Sequence, residues 1–252
     1  MKYSAKLFRD TMPEWKRKKD SIVARYFHRP ISFYFSSLFS SMGLTPNQVS
    51  FISLVIAFLA CACFLVENKI FYILGAILVN LWSITDSADG NMARTLGGKP
   101  YGDFIDATSS YALVGFMFPA IAVAAYREGG IFFEAGNASI IYIGAIVSAS
   151  DTMSRLFFQK MKNNTMEINI EKLKRGEKIE DLSETMKESK IGKIQTIIDS
   201  ELGIGGWCML AIFICILTGS LDVYILFYAL YYVGFFIFSL IYMIRKTRCL
   251  KS

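Results

Sequence analysis

Four aspartates near the middle of the chain have the spacing expected of groups that act together. Asp86 and Asp89 are three residues apart, and Asp103 and Asp106 repeat this spacing after a short linker. Residues three apart on a helix share a face, so each pair can point into one site. Both pairs border long apolar stretches, where ionisable side chains are costly and usually functional. Four carboxylates held together would repel one another strongly unless a cation neutralised them.

The neighbours of these aspartates indicate the chemistry of such a site. Gly90 places no side chain beside Asp89 and lets a ligand approach the backbone closely. Arg94 lies just beyond, where a guanidinium could hold a phosphate group. No cysteine or histidine lies nearby, and oxygen ligands alone favour a hard cation such as Mg²⁺ or Mn²⁺. Such ions commonly bridge phosphate oxygens during displacement at phosphorus. The alternative is a solvated helix end, which the clustering makes less favourable.

The elements that carry these residues are predicted to be membrane-spanning helices. Apolar residues make up 54% of the 252-residue chain and charged residues 19%, against about 45–50% and about 25% in soluble proteins. The mean hydropathy is +0.40. A helix needs about 20 apolar residues to cross a hydrocarbon core of about 30 Å. Six segments satisfy this, the fifth only just: 47–66, 70–90, 103–126, 138–158, 204–220 and 222–244. The predicted fold class is an all-α integral membrane protein with six transmembrane helices.

The helices that carry the two aspartate pairs are predicted to be antiparallel neighbours, because the short linker TLGGKPY joins them. The two carboxylate sets then face each other. On the second of these helices Asp103, Asp106 and Ser110 form one stripe, since residues seven apart nearly superimpose after two turns.

The basic residues predict the orientation of the chain. Of the 27 Lys and Arg residues, all except Lys69 and Arg127 fall in regions that six spans would place on one side. By the positive-inside tendency, both termini and the aspartates face the cytosol, and we expect a multi-pass protein of the cell's inner (plasma) membrane. The net charge of +6 matches an anionic inner leaflet and needs no nucleic-acid partner.

Two domains are predicted from this pattern. Residues 1–45 form a cytosolic N-terminal segment, in which the aromatic and basic residues 22–40 suit an amphipathic helix in the membrane interface. Residues 46–252 form the six-helix transmembrane catalytic domain. Within it, residues 159–200 are polar and rich in Lys and Glu, which indicates a solvated cytosolic loop with some helix.

The aspartate region resembles the CDP-alcohol phosphotransferases (CDP-alcohol phosphatidyltransferases), which carry the pattern D-x2-D-G-x2-A-R-x8-G-x3-D-x3-D. The first half is matched at Asp86, Asp89, Gly90, Ala93 and Arg94. The stretch LTPNQV at 44–49 also resembles the entry sequence of the family. The resemblance implies that Asp86, Asp89 and Asp106 bind Mg²⁺ or Mn²⁺, with two ions expected. It also implies that a cytidine diphosphate pocket is formed by Gly90, Ala93, Arg94 and Gly102.

The second half of the motif departs from the family pattern. Seven residues instead of eight separate Arg94 from Gly102, and the fourth aspartate position falls on Ser110. In the family that last aspartate is the proposed base for the acceptor hydroxyl, whereas an unactivated serine holds its proton too tightly. Asp103 could replace it as a catalytic residue beside Asp106, or could be a plain surface residue. A third option is an acceptor that needs little base assistance, which is typically worth about 10²–10⁴-fold.

Arg155 follows Asp151 by four residues near the cytosolic end of the fourth predicted span. One interpretation is an internal Asp151–Arg155 ion pair. The other is a docking group for an anionic acceptor, since family members with phosphorylated polyol acceptors place such acceptors in a basic pocket.

The resemblance therefore implies a metal-dependent membrane transferase. A substituted phosphate group would move from a CDP-activated donor, CDP-diacylglycerol or a CDP-polyol, to an acceptor alcohol with release of CMP, in phospholipid or related glycoconjugate synthesis. The alternative is a degenerate member that binds CDP-donor or lipid without turnover, which Ser110 and the shortened linker support. A transporter is disfavoured because the charges cluster at one membrane face. Family members are commonly dimers, so we expect a homodimer surrounded by membrane lipids.

Overall fold

In the computed structural model, residues 3–98, 100–176 and 197–249 are described, and this part of the chain is helical without a β-strand. A π-helical turn, Ala24–His28, leads directly into the third α-helix, and residues 197–202 form a short helical stretch before the eighth. In chain order the α-helices are α1 (Ala5–Asp10), α2 (Glu14–Lys19), α3 (Arg29–Ser41), α4 (Pro46–Leu65), α5 (Lys69–Leu96), α6 (Gly102–Glu128), α7 (Ser139–Lys174), α8 (Trp207–Thr218) and α9 (Leu221–Cys249).

Among the described residues, four helices are long and apolar enough to cross a membrane: α4, α5, α6 and the part of α9 from Leu221 to Arg245. These four correspond to the first, second, third and sixth predicted spans. The fourth predicted span lies in α7, where the carboxylate and guanidinium of Asp151 and Arg155 lower the apolar content. The fifth corresponds to α8, an apolar helix of 12 residues, which at 1.5 Å per residue is about 18 Å long.

The hairpin of α5 and α6 brings the two aspartate-bearing segments together at its closed end, although the two helices pack along α4 and not, as predicted, along each other. Gly97 ends α5 with a φ of 94°, a conformation that glycine adopts readily, and Tyr101 precedes α6 in the left-handed region. The first span, α4, packs against both helices of the hairpin. It begins with a capping box in which Thr45 and Gln48 bond each other's backbone amides, with Pro46 in the first turn.

The antiparallel helices α6 and α7 pack against each other, and α9 packs on both. The Ser148 hydroxyl donates to the Val114 carbonyl at 2.6 Å, which defines the register of α6 and α7. Phe118 of α6 forms ring contacts with Tyr224, Tyr228 and Tyr232 of α9. The main apolar core is formed by buried side chains of all six helices from α4 to α9.

The N-terminal segment covers the aspartate end of α5. A small apolar cluster joins α1 to α3, α4 and α5 through Phe8, Met12, Phe33, Val49 and Met92. Beside it the hydroxyls of Thr11 and Thr95 lie 2.7 Å apart. The segment 22–40, predicted to be an interfacial helix, is helical as the π turn followed by α3, and its place in the membrane interface stays a prediction. The start of the predicted loop 159–200 is helical, because α7 continues to Lys174; residues 177–196 lie outside the described residues.

The loop between α6 and α7 depends on one buried carboxylate, Asp222 at the start of α9. Its Oδ2 atom accepts from the amides of Phe132 and Phe133 at 2.6 and 3.1 Å. A Cβ added at Gly130 would overlap this carboxylate. We expect Gly130→Ala to lower the free energy of unfolding by about 1–3 kcal/mol, because an added methyl group in a packed site forces the loop to shift.

Thermal unfolding of the detergent-solubilised variants checks this expectation. Gly115→Ala is the matched control, since Gly115 lies within α6 and a Cβ there would meet nothing within 4 Å. That control should be neutral or slightly stabilising, because glycine within a helix costs about 0.5–1 kcal/mol relative to alanine. Equal melting temperatures for the two variants would contradict the proposed role of Asp222.

Candidate active site

Three carboxylates meet at the end of the α5–α6 hairpin. One ligand oxygen from each of Asp86, Asp89 and Asp106 lies within 4.8 Å of the other two. Asp89 is buried, Asp86 is half-buried and Asp106 is exposed. The Oδ1 atom of Asp86 is buried without a hydrogen-bond partner. Like charges this close, with one buried oxygen unsatisfied, fit a divalent cation with oxygen ligands. We call these three residues the carboxylate cluster.

Serines of α4 and α6 hold Asp89 of the carboxylate cluster in place. The Ser50 hydroxyl of α4 donates to Asp89 Oδ2 at 2.5 Å, and Ser53 bonds the Ser50 carbonyl at 2.7 Å. Ser109 of α6 lies 2.8 Å from Ser53 and accepts from the Trp82 indole at the same distance. Sequence reasoning missed Ser50 and Ser53, whose three-residue spacing places both on one face of α4.

A cavity of about 330 Å³ opens on one side of the carboxylate cluster. It brings together all four residues predicted for the nucleotide pocket, along with Asp103. Its lining consists of Pro46, Asn47, Ser50, Asp89, Gly90, Ala93, Arg94, Gly98, Gly102, Asp103 and Asp106. We call it the smaller cavity.

Two glycines of the smaller cavity stand where neighbouring polar groups approach closely. A Cβ at Gly90 would lie 3.2 Å from Arg94 Nη1, so the guanidinium lies directly over this glycine. A Cβ at Gly102 would lie 3.3 Å from Asn47 Oδ1, and the Asn47 amide donates to the Pro100 carbonyl at 3.0 Å. Asn47, which sequence reasoning did not select, therefore links α4 to the hairpin linker.

A second cavity of about 810 Å³ lies on the other side of the carboxylate cluster, and we call it the larger cavity. Asp86, Ser110 and Arg155 all line it. Asp89 and Asp106 line the smaller cavity instead. The carboxylate cluster thus stands between two cavities, an arrangement that can bring two substrates together at one cation site.

The structure places the two candidate base positions in different cavities. Ser110 is half-buried and lines the larger cavity, whereas Asp103 is exposed and lines the smaller one. Asp103 therefore shares its surroundings with Arg94 and Gly102. Asp106 lies one turn further along α6, in the carboxylate cluster.

Arg155 forms the ion pair that one interpretation of its position predicted, and its role as a docking group stays a prediction. Its Nε atom donates to Asp151 Oδ1 at 3.0 Å, so the ion pair is present. The same arginine lines the larger cavity, so its guanidinium is also available to a ligand there.

A polar network joins the N-terminal segment to the smaller cavity. Arg29 donates to both carboxylate oxygens of Asp20 at 2.9 and 3.0 Å. Arg29 and Arg94 both donate to Asn91 Oδ1, at 3.2 and 2.9 Å, while the Asn91 amide donates to Ser32 and Ser36 at 3.0 and 3.3 Å. No local pattern reveals this network, because its members are far apart in the sequence and meet only through the packing of α3 on α5.

A family model described as CDP-alcohol phosphatidyltransferase matches residues 43–238, which is most of the chain and includes α4 to α8 completely. The chain belongs to the CDP-alcohol phosphatidyltransferase family. Membership of this membrane-enzyme family together with four apolar helices makes it a membrane protein of the transferase class. The carboxylate cluster and both cavities lie largely within the matched residues.

The chain is also similar to an archaetidylinositol phosphate synthase from Pyrococcus horikoshii. The two are 36% identical over 70 residues, which represent 27% of this chain and 36% of that protein. The similarity thus spans well under two thirds of that relative's length.

His28, the chain's single histidine, is buried beside this site. Asn80 donates its amide hydrogens to the Ala76 and Met209 carbonyls, so its oxygen faces His28 Nε2 at 3.1 Å. The Ser83 hydroxyl lies 3.2 Å from Nδ1, and a neutral imidazole with its proton on Nε2 accepts from Ser83 at this nitrogen. Burial lowers the pKa of His28, the hydrogen bond to Asn80 raises it less, and the charge of Arg29 lowers it further.

We expect the folded state to lose stability as the pH falls below about 6.5, where a free histidine takes up a proton. Because the pKa of His28 is lowered, the folded protein takes up this proton at a lower pH than the unfolded chain does. The unfolded chain therefore binds more protons below this pH, at a cost of up to about 1.4 kcal/mol per pH unit. Thermal unfolding between pH 7.5 and 5.5 measures this slope. His28→Asn should flatten it, and an unchanged slope in that variant would disprove the role of His28.

We also expect Ser50→Ala to weaken Mn²⁺ binding about 10–100-fold, because residues that orient metal ligands typically contribute that much to affinity. Mn²⁺ titration followed by electron paramagnetic resonance measures the affinity. Ser41→Ala is the matched control, since Ser41 is exposed and bonds only the Ser37 carbonyl among its described contacts. Equal affinities of the two variants would show that Ser50 does not orient Asp89.

Proposed function

We propose that this chain transfers a substituted phosphate group from a CDP-activated alcohol to an acceptor alcohol and releases CMP. The observation that supports it is the carboxylate cluster standing between two cavities. A donor diphosphate in the smaller cavity and an acceptor hydroxyl in the larger one would meet at this cluster. Family membership supports the same reaction class.

The smaller cavity supplies the groups for the donor. Gly90 and Gly102 line this cavity, the absence of a side chain at Gly90 lets the Arg94 guanidinium lie against the backbone, and that guanidinium can donate to the phosphate oxygens of the donor. Ala93 borders the same pocket. We propose that Asp86, Asp89 and Asp106 hold Mg²⁺ or Mn²⁺, with two ions expected. Such ions, when bound, would offset the charge on the phosphates and on the departing CMP.

The acceptor hydroxyl attacks the β-phosphorus, counted from the cytidine, and the bond from that phosphorus to the CMP oxygen breaks. The donor alcohol is a lipid such as diacylglycerol or a soluble polyol. Five basic side chains line the larger cavity: Lys16, Lys19, Arg29, Arg155 and Lys162. These basic side chains outnumber the four carboxylates of the same lining, so an anionic acceptor such as a phosphorylated polyol fits the cavity. The name of the Pyrococcus relative includes an inositol phosphate. Arg155 is the proposed docking group.

In the membrane we propose six spans, with the apolar part of α7 and the short α8 completing the four longer helices. Both termini and the carboxylate cluster then face the cytosol, as the distribution of basic residues favours. The inner membrane is the proposed location and a homodimer the proposed assembly, the latter because of the family resemblance.

A second candidate function is binding of the CDP-donor or of lipid without turnover. It is favoured by one observation, the serine at position 110 where an acceptor base is expected. The role of Asp103 as a replacement base stays a prediction. Asp103 lines the smaller cavity, where we propose that the donor binds and not the acceptor.

We expect purified protein in detergent to release CMP from CDP-diacylglycerol or a soluble CDP-alcohol when an acceptor and Mg²⁺ or Mn²⁺ are present. Asp89→Asn should lower the rate about 10²-fold or more, because it removes a charged ligand from the cation site. Asp10→Asn is the matched control, since Asp10 is exposed on α1 outside both cavities. Metal-dependent donor binding by a protein that releases no CMP would support the second function instead.

A further inference from the structure

Transfer to an alcohol requires a group that takes the proton of the acceptor hydroxyl, and Ser110 cannot do so near neutral pH. The larger cavity, where the acceptor would lie, is lined by four carboxylates: Asp20, Asp86, Asp151 and Asp199. Three of them are engaged elsewhere or exposed. The fourth, Asp151, has the properties that a base requires.

The first three can be assigned to other contacts. Asp20 is held by both nitrogens of the Arg29 fork, and Lys16 lies 3.2 Å from it. Asp86 belongs to the carboxylate cluster. Asp199 is exposed and accepts a hydrogen bond from the Tyr231 hydroxyl at 3.3 Å, so it faces solvent as well as the cavity.

Asp151 has one oxygen that is held and one that is free. Oδ1 accepts from Arg155 at 3.0 Å, while Oδ2 is buried without a hydrogen-bond partner in a residue only 3% exposed. A buried acceptor left unpaired is costly. Within the described part of the chain, such side-chain atoms are Ser40 Oγ, Asp86 Oδ1, Asp151 Oδ2 and Tyr232 Oη. Of these residues, Asp86 and Asp151 line the larger cavity, and the cation site accounts for Asp86.

The register of α6 and α7 places Asp151 at the level of Ser110. The two helices are antiparallel and are linked by the hydrogen bond from Ser148 to Val114. Asp151 follows Ser148 by three residues, and Ser110 precedes Val114 by four, which is about one turn in the same direction on each helix. The position that lacks a carboxylate on α6 thus faces a carboxylate on α7.

We propose that Asp151 is the base for the acceptor hydroxyl, supplied by α7 in place of the serine at position 110 on α6. This assignment rests on the proposed function. The acceptor O–H bond breaks and its proton passes to Asp151 Oδ2. The oxygen then bonds to the β-phosphorus, and CMP leaves with the electron pair of the broken P–O bond. Arg155 holds Oδ1 and so orients the carboxylate toward the acceptor.

Charged and titratable groups approach Asp151 from every helix packed around it. They are Arg155 on α7 itself, Asp86 on α5, Tyr111 on α6, Asp199 on the 197–202 stretch, Cys208 on α8, and Tyr231 and Tyr232 on α9. Lys16, Lys19, Arg29 and Lys162 line the same cavity, and Arg155 is the cation that bonds Asp151 directly. A cation in direct contact favours the charged carboxylate that a base must be at the start of the reaction.

The test is the rate of CMP release by Asp151→Asn in the full-length protein. We expect kcat to fall about 10²–10⁴-fold, the usual contribution of general-base catalysis, and the acidic limb of the pH profile to disappear. Donor binding, measured with CDP and Mn²⁺ in the absence of acceptor, should equal that of the native protein and shows that the variant is folded. The double variant Asp151→Asn with Ser110→Asp should recover activity, because it returns a carboxylate to the same level on α6.

The variant Arg155→Gln removes the ion pair but keeps the proposed base, so its effect can be compared with that of Asp151→Asn. This variant keeps the carboxylate, so the KM for an anionic acceptor should rise while the acidic limb of the pH profile remains. Full kcat in Asp151→Asn would overturn the assignment, as would a loss of turnover in Asp103→Asn that leaves Asp151→Asn active. If the native protein releases no CMP with any donor, the proposed function fails and the assignment of Asp151 fails with it. If the native protein is active and Asp151→Asn keeps full kcat, only the assignment fails.

Discussion

The repulsion among three carboxylates at the end of an apolar hairpin is the constraint on which the rest of this structure depends. Asp86, Asp89 and Asp106 lie within 4.8 Å of one another at the ends of helices that are otherwise apolar. Such a cluster persists only where the surrounding structure fixes the side chains and their charge is offset, by bound protons or by the cation that we propose. The hydroxyl of Ser50 and the linked serines of α4 and α6 fix Asp89. They give α4 a role beyond spanning the bilayer.

The same constraint explains why the N-terminal segment packs where it does. The end of α5 carries Asp89 and Arg94, whose positions depend on the last turns of that helix staying folded. Asn91, in these turns, accepts from Arg29 and Arg94 together, and the cluster of Phe8 and Met12 covers the same helix end. The N-terminal segment therefore adds apolar packing and the hydrogen bond from Arg29 to Asn91 at a helix end that would otherwise fray.

The local part of the site could be predicted from the sequence, and the tertiary part could not. Helical periodicity and the short linker predicted that the pairs Asp86–Asp89 and Asp103–Asp106 face each other. The family resemblance then selected Asp86, Asp89 and Asp106 as the metal ligands. Asn47 and Asp151 come from helices far away in the sequence, and their positions depend on side-chain packing that leaves no periodic signal. The number of helices that are apolar enough to cross a membrane is four, and not the predicted six, for a related reason. Hydropathy measures apolar content, whereas α7 buries Ser148, Asp151 and Ser154 against protein.

The position of a catalytic group is constrained in space rather than along the chain. An acceptor hydroxyl needs a free carboxylate oxygen within reach, and any helix that lines the larger cavity can supply it. A sequence motif compares positions along one helix and ignores the helices that face it. By that comparison alone, the serine at position 110 suggests a lost function. The antiparallel register of α6 and α7, set by Ser148 and Val114, brings the unpaired oxygen of Asp151 to the same level. A chain that departs from its family motif at one position can therefore retain the chemistry if a facing helix provides the same group.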